Sequence, residues 1–174
     1  MSIRRFLGRI LNKSASFVAE KYYEGACENE GERRVGSVNV VGPNRFRDEV
    51  SESLRILERN YPFGYALVQR YLRAVVGLNV RLDFGWVIGV RFEPIARSGT
   101  VLRWSPDRFA GVLLRTAIYT RLTKGYGICV WRNPKAQLPG LKRELRLLRM
   151  IGCENRYIVQ QEEFIELKTK RLIC

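Results

Sequence analysis

Glu144 and Arg115 are the two side chains whose types and positions point most directly to chemistry. Glu144 lies inside an apolar stripe with the spacing of one helix face, formed by Leu141, Leu145, Leu148 and Ile151. An acid on an inward-facing stripe needs a partner, because burying a lone carboxylate is costly. Arg115 shares a predicted helix face with Val112, Tyr119 and Leu122. Arg115 is therefore a candidate partner for Glu144, and an ion pair between them would satisfy both charges.

The alternative is that Glu144 lies at the edge of the stripe and is solvated. Its sequence neighbours include the cations Lys142, Arg143 and Arg146. Carboxylates on helices are usually exposed. The sequence leaves both arrangements open.

The segment around Arg115 also has a family resemblance. LLRTAIYTRL (residues 113–122), followed by GYGI and later by RELRLLRM, resembles a zincin-like family of bacterial proteins of unclear role. In zincins that bind zinc, a helix carries H-E-x-x-H, whose two imidazoles share a face while the glutamate activates a metal-bound water. In this chain Arg115 stands at the first histidine, Thr116 at the glutamate and Tyr119 at the second histidine. Glu144 stands where a third ligand would be.

The resemblance, which spans about residues 54–153, implies a scaffold that has lost its metal. Arginine keeps its proton and cannot become a ligand, and threonine is a poor general base. The Arg115–Glu144 pair would then occupy the former metal position. We expect a non-catalytic protein without a cofactor, with a binding or structural role.

The composition makes an active enzyme the least expected class. The 174 residues contain no histidine, which excludes Ser-His-Asp and Cys-His catalysis and metal sites that need imidazole. The four cysteines form no CxxC motif, which indicates reduced thiols in the cytoplasm, although their even number leaves two disulfides open.

The net charge indicates a polyanionic partner. Lysine and arginine number 31 against 17 acids, for a net charge of +14 and a pI near 10.2. Nucleic acid, an anionic membrane surface and an acidic protein partner all fit this charge. The best candidate for phosphate contacts comprises Arg132, Lys135, Lys142, Arg143, Arg146 and Arg149. An ordinary solvated basic helix face stays open as the alternative.

The N-terminal residues form a second basic segment. Arg4, Arg5, Phe6, Arg9 and Ile10 belong to a predicted amphipathic helix that could lie on an anionic membrane surface. A cleaved targeting segment and a helix packed on its own domain are the alternatives. No stretch reaches the roughly 18 apolar residues of a membrane span, so we expect no transmembrane segment and a cytoplasmic protein with possible membrane association.

The segment NYPFGY (residues 60–65) is an aromatic cluster with proline and glycine. Its aromatic rings could stack on nucleic-acid bases. A turn that packs them into the core is the alternative.

The predicted elements give an α+β fold, mainly helical, with a small three- to four-stranded sheet in the middle and a zincin-like arrangement of helices. Helices are predicted at 45–60 after an Asn44 cap, at 63–77, from the Ser105 cap to Gly125, at 140–152 and at 159–172. Strands are predicted at 37–41, 79–84, 86–92 and 100–104. Residues 1–35 are expected to form the N-terminal helix and a polar linker, and residues 36–174 a single domain.

Overall fold

The computed structural model describes residues 21, 24–25, 27–28, 31–78, 82–83, 87–91, 105–126, 130 and 133–170. The strands are β1 (Glu32–Val35), β2 (Val38–Val41), β3 (Ala74–Leu78), β4 (Leu82–Asp83) and β5 (Val87–Arg91). The helices used below are α1 (Asn44–Asn60), α2 (Pro62–Tyr71), α3 (Pro106–Tyr126), α4 (Pro134–Met150) and α5 (Asn155–Lys170). The predicted helix over residues 1–20, the predicted strand at 100–104 and Arg132 lie outside the described residues.

The sheet is mixed and has the strand order β1-β2-β3-β5-β4. β2, β3 and β5 are parallel, with Val40 opposite Val75 and Val75 opposite Ile88. β1 and β4 are antiparallel edge strands. The apolar run of β3 suits a central strand covered on both faces, and Ala74, Val75 and Val76 are buried.

The sheet begins earlier than predicted, inside the expected polar linker. β1 pairs with β2 along its whole length, and Arg33 forms an ion pair with Asp48 of α1 at 2.5 Å. Its residues are mostly exposed, so hydrophobic alternation does not mark it as a strand. With β1 included, the sheet has five strands instead of three or four.

The helix predicted at 63–77 is wrong in its second half. α2 ends at Tyr71, and the chain continues as β3 from Ala74. The β-branched residues Val75 and Val76 pair with β2 and β5, which favours the strand over another helical turn.

α4 begins six residues before the helix predicted at 140–152, and both Pro134 and Pro139 lie within it. Pro134 occupies the first helical turn, where a missing N–H costs little, and the Asn133 side chain accepts a hydrogen bond from the Ala136 N–H at 3.2 Å. α5 likewise begins at Asn155, four residues before its predicted start.

The helices pack in sequence around α3. α1 and α2 pack against α3, and their shared core includes Leu54 of α1, Val68 of α2 and Leu113 of α3. α4 packs on α3, and α5 packs on α4. The predicted Ser105 cap is present, since its hydroxyl accepts a bond from the Arg108 N–H at 3.4 Å. The mainly helical α+β class is confirmed. Among the described helices, none has the length and apolarity needed to cross a membrane.

Candidate functional site

The structure contains the predicted ion pair between α3 and α4. Arg115 Nη1 lies 2.7 Å from Glu144 Oε2. The Glu144 side chain is only 3% exposed and that of Arg115 is 17% exposed, so a solvated Glu144 is wrong. The apolar stripe therefore places the carboxylate inward, and the face shared by Val112 and Tyr119 directs Arg115 to it.

Two further side chains act on Glu144. Gln161 of α5 donates from Nε2 to the same carboxylate oxygen at 2.7 Å, so three helices meet at this group. Arg108 of α3 adds a second nearby positive charge. Burial raises the pKa of Glu144, while Arg115, Arg108 and the hydrogen bond from Gln161 oppose that rise only in part.

The hydroxyls of Thr116 and Tyr119 both donate hydrogen bonds to main-chain carbonyls, the first within α3 and the second across to α4. Thr116 Oγ1 donates to the Val112 carbonyl at 2.9 Å, and Tyr119 Oη donates to the Gln137 carbonyl at 3.1 Å. Both residues are 3% exposed. Burial is the main cause of the raised pKa of Tyr119, so the phenol keeps its proton and is no general base near neutral pH.

These four positions do not suit a metal ion. Arg115 brings a positive charge to the centre of the cluster, and only Glu144 supplies a carboxylate. Within the described ranges, no group of three or more histidine, cysteine, aspartate or glutamate side chains could hold a metal. The arrangement joins three helices through a buried charge pair.

A second feature lies on the solvent side of α4. Lys135, Lys142, Arg146 and Arg149 are exposed, and their spacing of seven, four and three residues places them on one stripe of the helix. This basic stripe is about 21 Å long at 1.5 Å per residue. Glu144 is the one acid of α4, and it faces inward.

The cations of the basic stripe differ in their partners. Arg149 pairs with Glu162 of α5. Among the described residues, no ion pair or hydrogen bond involves the side chains of Lys135, Lys142 or Arg146. These three cations are therefore available to a ligand.

Arg143 lies beside the basic stripe and connects it to the NYPFGY segment. Its Nη1 donates to the Tyr61 hydroxyl at 2.5 Å, across 82 positions of sequence. The rings of Tyr61 and Phe63 lie 6.2 Å apart between centroids, and Phe63 is 57% exposed. Core packing, the alternative for this segment, holds for Tyr61 and Tyr65, which pack against the hydrophobic core, but not for Phe63.

Sequence reasoning identified the charged residues of both features and the Arg115–Glu144 pair, but neither the Gln161 bond nor the Tyr61–Arg143 contact. Gln161 lies on the inward face of α5, which the buried residue Tyr157 marks. The predicted helix starts at Val159 and therefore does not include Tyr157. The contact between Tyr61 and Arg143 joins distant segments and leaves no local pattern. The membrane-surface residues Arg4, Arg5, Phe6, Arg9 and Ile10 lie outside the described residues.

Comparisons with protein-family models, curated proteins and solved structures find no match to this chain. The zincin-like resemblance therefore stays a prediction.

Proposed function

We propose that this chain is a non-catalytic nucleic-acid-binding protein that uses the exposed face of α4, and that the Arg115–Glu144 pair is a structural link beneath that face. The observation that supports the proposal is the basic stripe, with Lys135, Lys142 and Arg146 exposed and unpaired on a helix whose one acid is buried. A row of cations without interspersed acids attracts a phosphate backbone.

The ion pair contributes rigidity to this surface. Glu144 receives bonds from Arg115 of α3 and Gln161 of α5, and it lies on the opposite side of α4 from the basic stripe. α4 is therefore held on its buried side by α3 and α5, while the cations of the basic stripe face solvent. In the zincin-like interpretation the same pair stands where the metal would have been, and the proposal does not depend on that origin.

The test is binding of a fluorescently labelled oligonucleotide, followed by anisotropy at low and at moderate salt. The variant Lys135→Gln/Lys142→Gln/Arg146→Gln removes three charges from the basic stripe. The control variant Arg45→Gln/Arg55→Gln/Lys170→Gln removes three charges from exposed cations of α1 and α5 that are paired with acids. Both variants have the same net charge.

We expect the stripe variant to lose binding by roughly tenfold or more and the control variant to lose much less, because paired cations contribute little to the local potential. Equal losses would show that total charge and not this surface attracts the nucleic acid, and would contradict the proposal. Attachment to a membrane through the N-terminal helix, or to an acidic protein partner, stays a prediction.

A further inference from the structure

An exposed aromatic ring lies at the edge of the cationic surface. Phe63 is the second residue of α2 and lies beside Tyr61, whose hydroxyl accepts a hydrogen bond from Arg143 of α4. Phe63 has the second-largest exposed fraction among the exposed large hydrophobic side chains of the described residues, with only Leu167 of α5 slightly more exposed. A large ring left in solvent next to cations calls for an explanation.

The cations connected to this ring through Tyr61 belong to α4. Arg143 is held at Tyr61, and Arg146 follows three residues later, one helical turn along the same side of α4. Lys142 lies one turn before Arg146 on the basic stripe. The order from α2 towards α5 is therefore Phe63, Arg143, Arg146 and then the rest of the stripe.

We propose that Phe63, Arg143 and Arg146 form a site for single-stranded nucleic acid, in which Phe63 stacks on an unpaired base and the two arginines hold the adjacent phosphates. The inference rests on the proposed function and names its ligand class. Base stacking on an exposed ring beside a cationic track is the recurring mode of single-strand binding, and it does not depend on sequence.

The chemistry of the surface favours a single strand over two other polyanions. In a duplex the bases are already stacked on each other, so an exposed ring gains nothing from them. A membrane surface would require a broad apolar face next to the cations. The five large apolar side chains exposed in the described part of the chain, Phe63, Met150, Val159, Phe164 and Leu167, are divided among α2, α4 and α5.

The experiment compares a single-stranded oligonucleotide, its duplex and vesicles of anionic lipid as ligands for the full chain. The variant Phe63→Ala removes the ring, Phe63→Tyr keeps it, and Phe63→Leu keeps only apolar bulk. Phe164→Ala is the matched control, since Phe164 is an exposed ring (42%) on α5, away from α2. Because both rings are exposed, none of these changes is expected to unfold the protein.

We expect tighter binding to the single strand than to the duplex, and a loss of roughly 5- to 150-fold in Phe63→Ala, the range of one stacked base. Phe63→Tyr should retain the affinity, and Phe63→Leu should lose it. Phe164→Ala should bind as the unmodified chain does.

The outcomes that overturn the inference differ from those that overturn the proposed function. If the stripe variant loses binding but Phe63→Ala does not, the basic surface stands and the stacking site is wrong. Preference for the duplex, or Phe63-dependent binding to vesicles alone, also overturns the stacking site. If the unmodified chain binds no oligonucleotide at any salt concentration, both proposals are wrong.

Discussion

At the residue scale, Glu144 is a buried side chain that connects three helices. It accepts hydrogen bonds from Arg115 and Gln161, and its own carboxylate is almost fully buried. Replacing Glu144 with alanine leaves the Arg115 guanidinium without its carboxylate in a mostly buried position. We expect Glu144→Ala to lower the free energy of unfolding by about 3 kcal/mol, measured by urea denaturation.

Glu162→Ala is the matched control for that measurement. Glu162 also pairs with an arginine of α4, but this pair is exposed, with side-chain exposures of 58% for Arg149 and 41% for Glu162. Its loss should cost less than about 1 kcal/mol. Similar losses in the two variants would show that burial does not govern the Arg115–Glu144 pair. The double change Arg115→Met/Glu144→Leu should be close to neutral, since it removes both charges together.

The pKa of Glu144 predicts a pH dependence of stability with a definite sign. Burial raises the pKa of this carboxyl in the folded chain above the value of about 4.3 in the unfolded chain. The folded state then binds more protons than the unfolded state between these two values, so this group's contribution to stability falls as the pH rises through that window.

Glu144→Gln cannot titrate and removes this contribution. We therefore expect the unmodified chain to lose stability relative to Glu144→Gln as the pH increases from about 4.3 to the raised pKa. Urea denaturation of both proteins across a pH series measures the difference. If the unmodified chain instead gains stability relative to Glu144→Gln over this range, then the positive charges of Arg115 and Arg108 lower the pKa of Glu144 by more than burial raises it.

Sequence periodicity could place Glu144 and Arg115 each among the apolar residues of its own helix, and the zincin-like resemblance suggested that the two positions meet. It could not identify Gln161 as the third member, since that contact depends on how α5 packs against α4. It also could not decide whether Phe63 is buried, because a proline-containing aromatic segment fits a core turn and a surface equally well.

At the element scale, the close approach of α3 and α4 depends on Gly140. A Cβ atom at this position would overlap the Tyr119 ring, with Cδ1 at 2.9 Å, and would lie 3.3 Å from Arg115 Cγ. Gly140→Ala should therefore destabilise the chain, because overpacking costs about 1–3 kcal/mol. The gain of about 1 kcal/mol in helix propensity offsets only part of that cost.

Thermal unfolding of Gly140→Ala, alone and combined with Tyr119→Ala, measures this effect. Without the Tyr119 ring, alanine at position 140 should stabilise the chain relative to Tyr119→Ala alone, because its helix propensity then acts without the overlap. A destabilisation of the same size in both backgrounds would show that the Tyr119 ring is not the obstacle.

The local sequence pattern was sufficient to predict some helices and strands but not others. α3 was predicted closely because Ser105 and Pro106 mark its start, and the chain's longest described helix follows. β1 and β3 were missed because their state depends on pairing partners far along the chain. The polar residues of β1 have no strand pattern, and β3 continues directly from the helical pattern of α2.

At the scale of the whole molecule, the positive charge is distributed unevenly. Some exposed acids of α1 and α5 pair with cations on their own helix, as Glu49 does with Arg45 and Glu166 with Lys170. Glu162 of α5 instead pairs with Arg149 of α4. The exposed face of α4 has no acid of its own. The net charge of +14 was evident from composition, but this separation depends on which side chains face solvent and which are paired.

This separation predicts how salt acts on nucleic-acid binding. The logarithm of the affinity for a single strand should fall linearly with the logarithm of salt concentration, with a slope of about −0.7 for each phosphate contact. Removing Lys135, Lys142 and Arg146 together should make that slope shallower by about 2, since three contacts are lost.

Phe63→Ala should lower the affinity with the slope unchanged, because stacking on a base releases no counterions. Anisotropy titrations of the three proteins over a salt series separate these two contributions. A shallower slope in Phe63→Ala would show that the ring orders the phosphate contacts instead of binding a base.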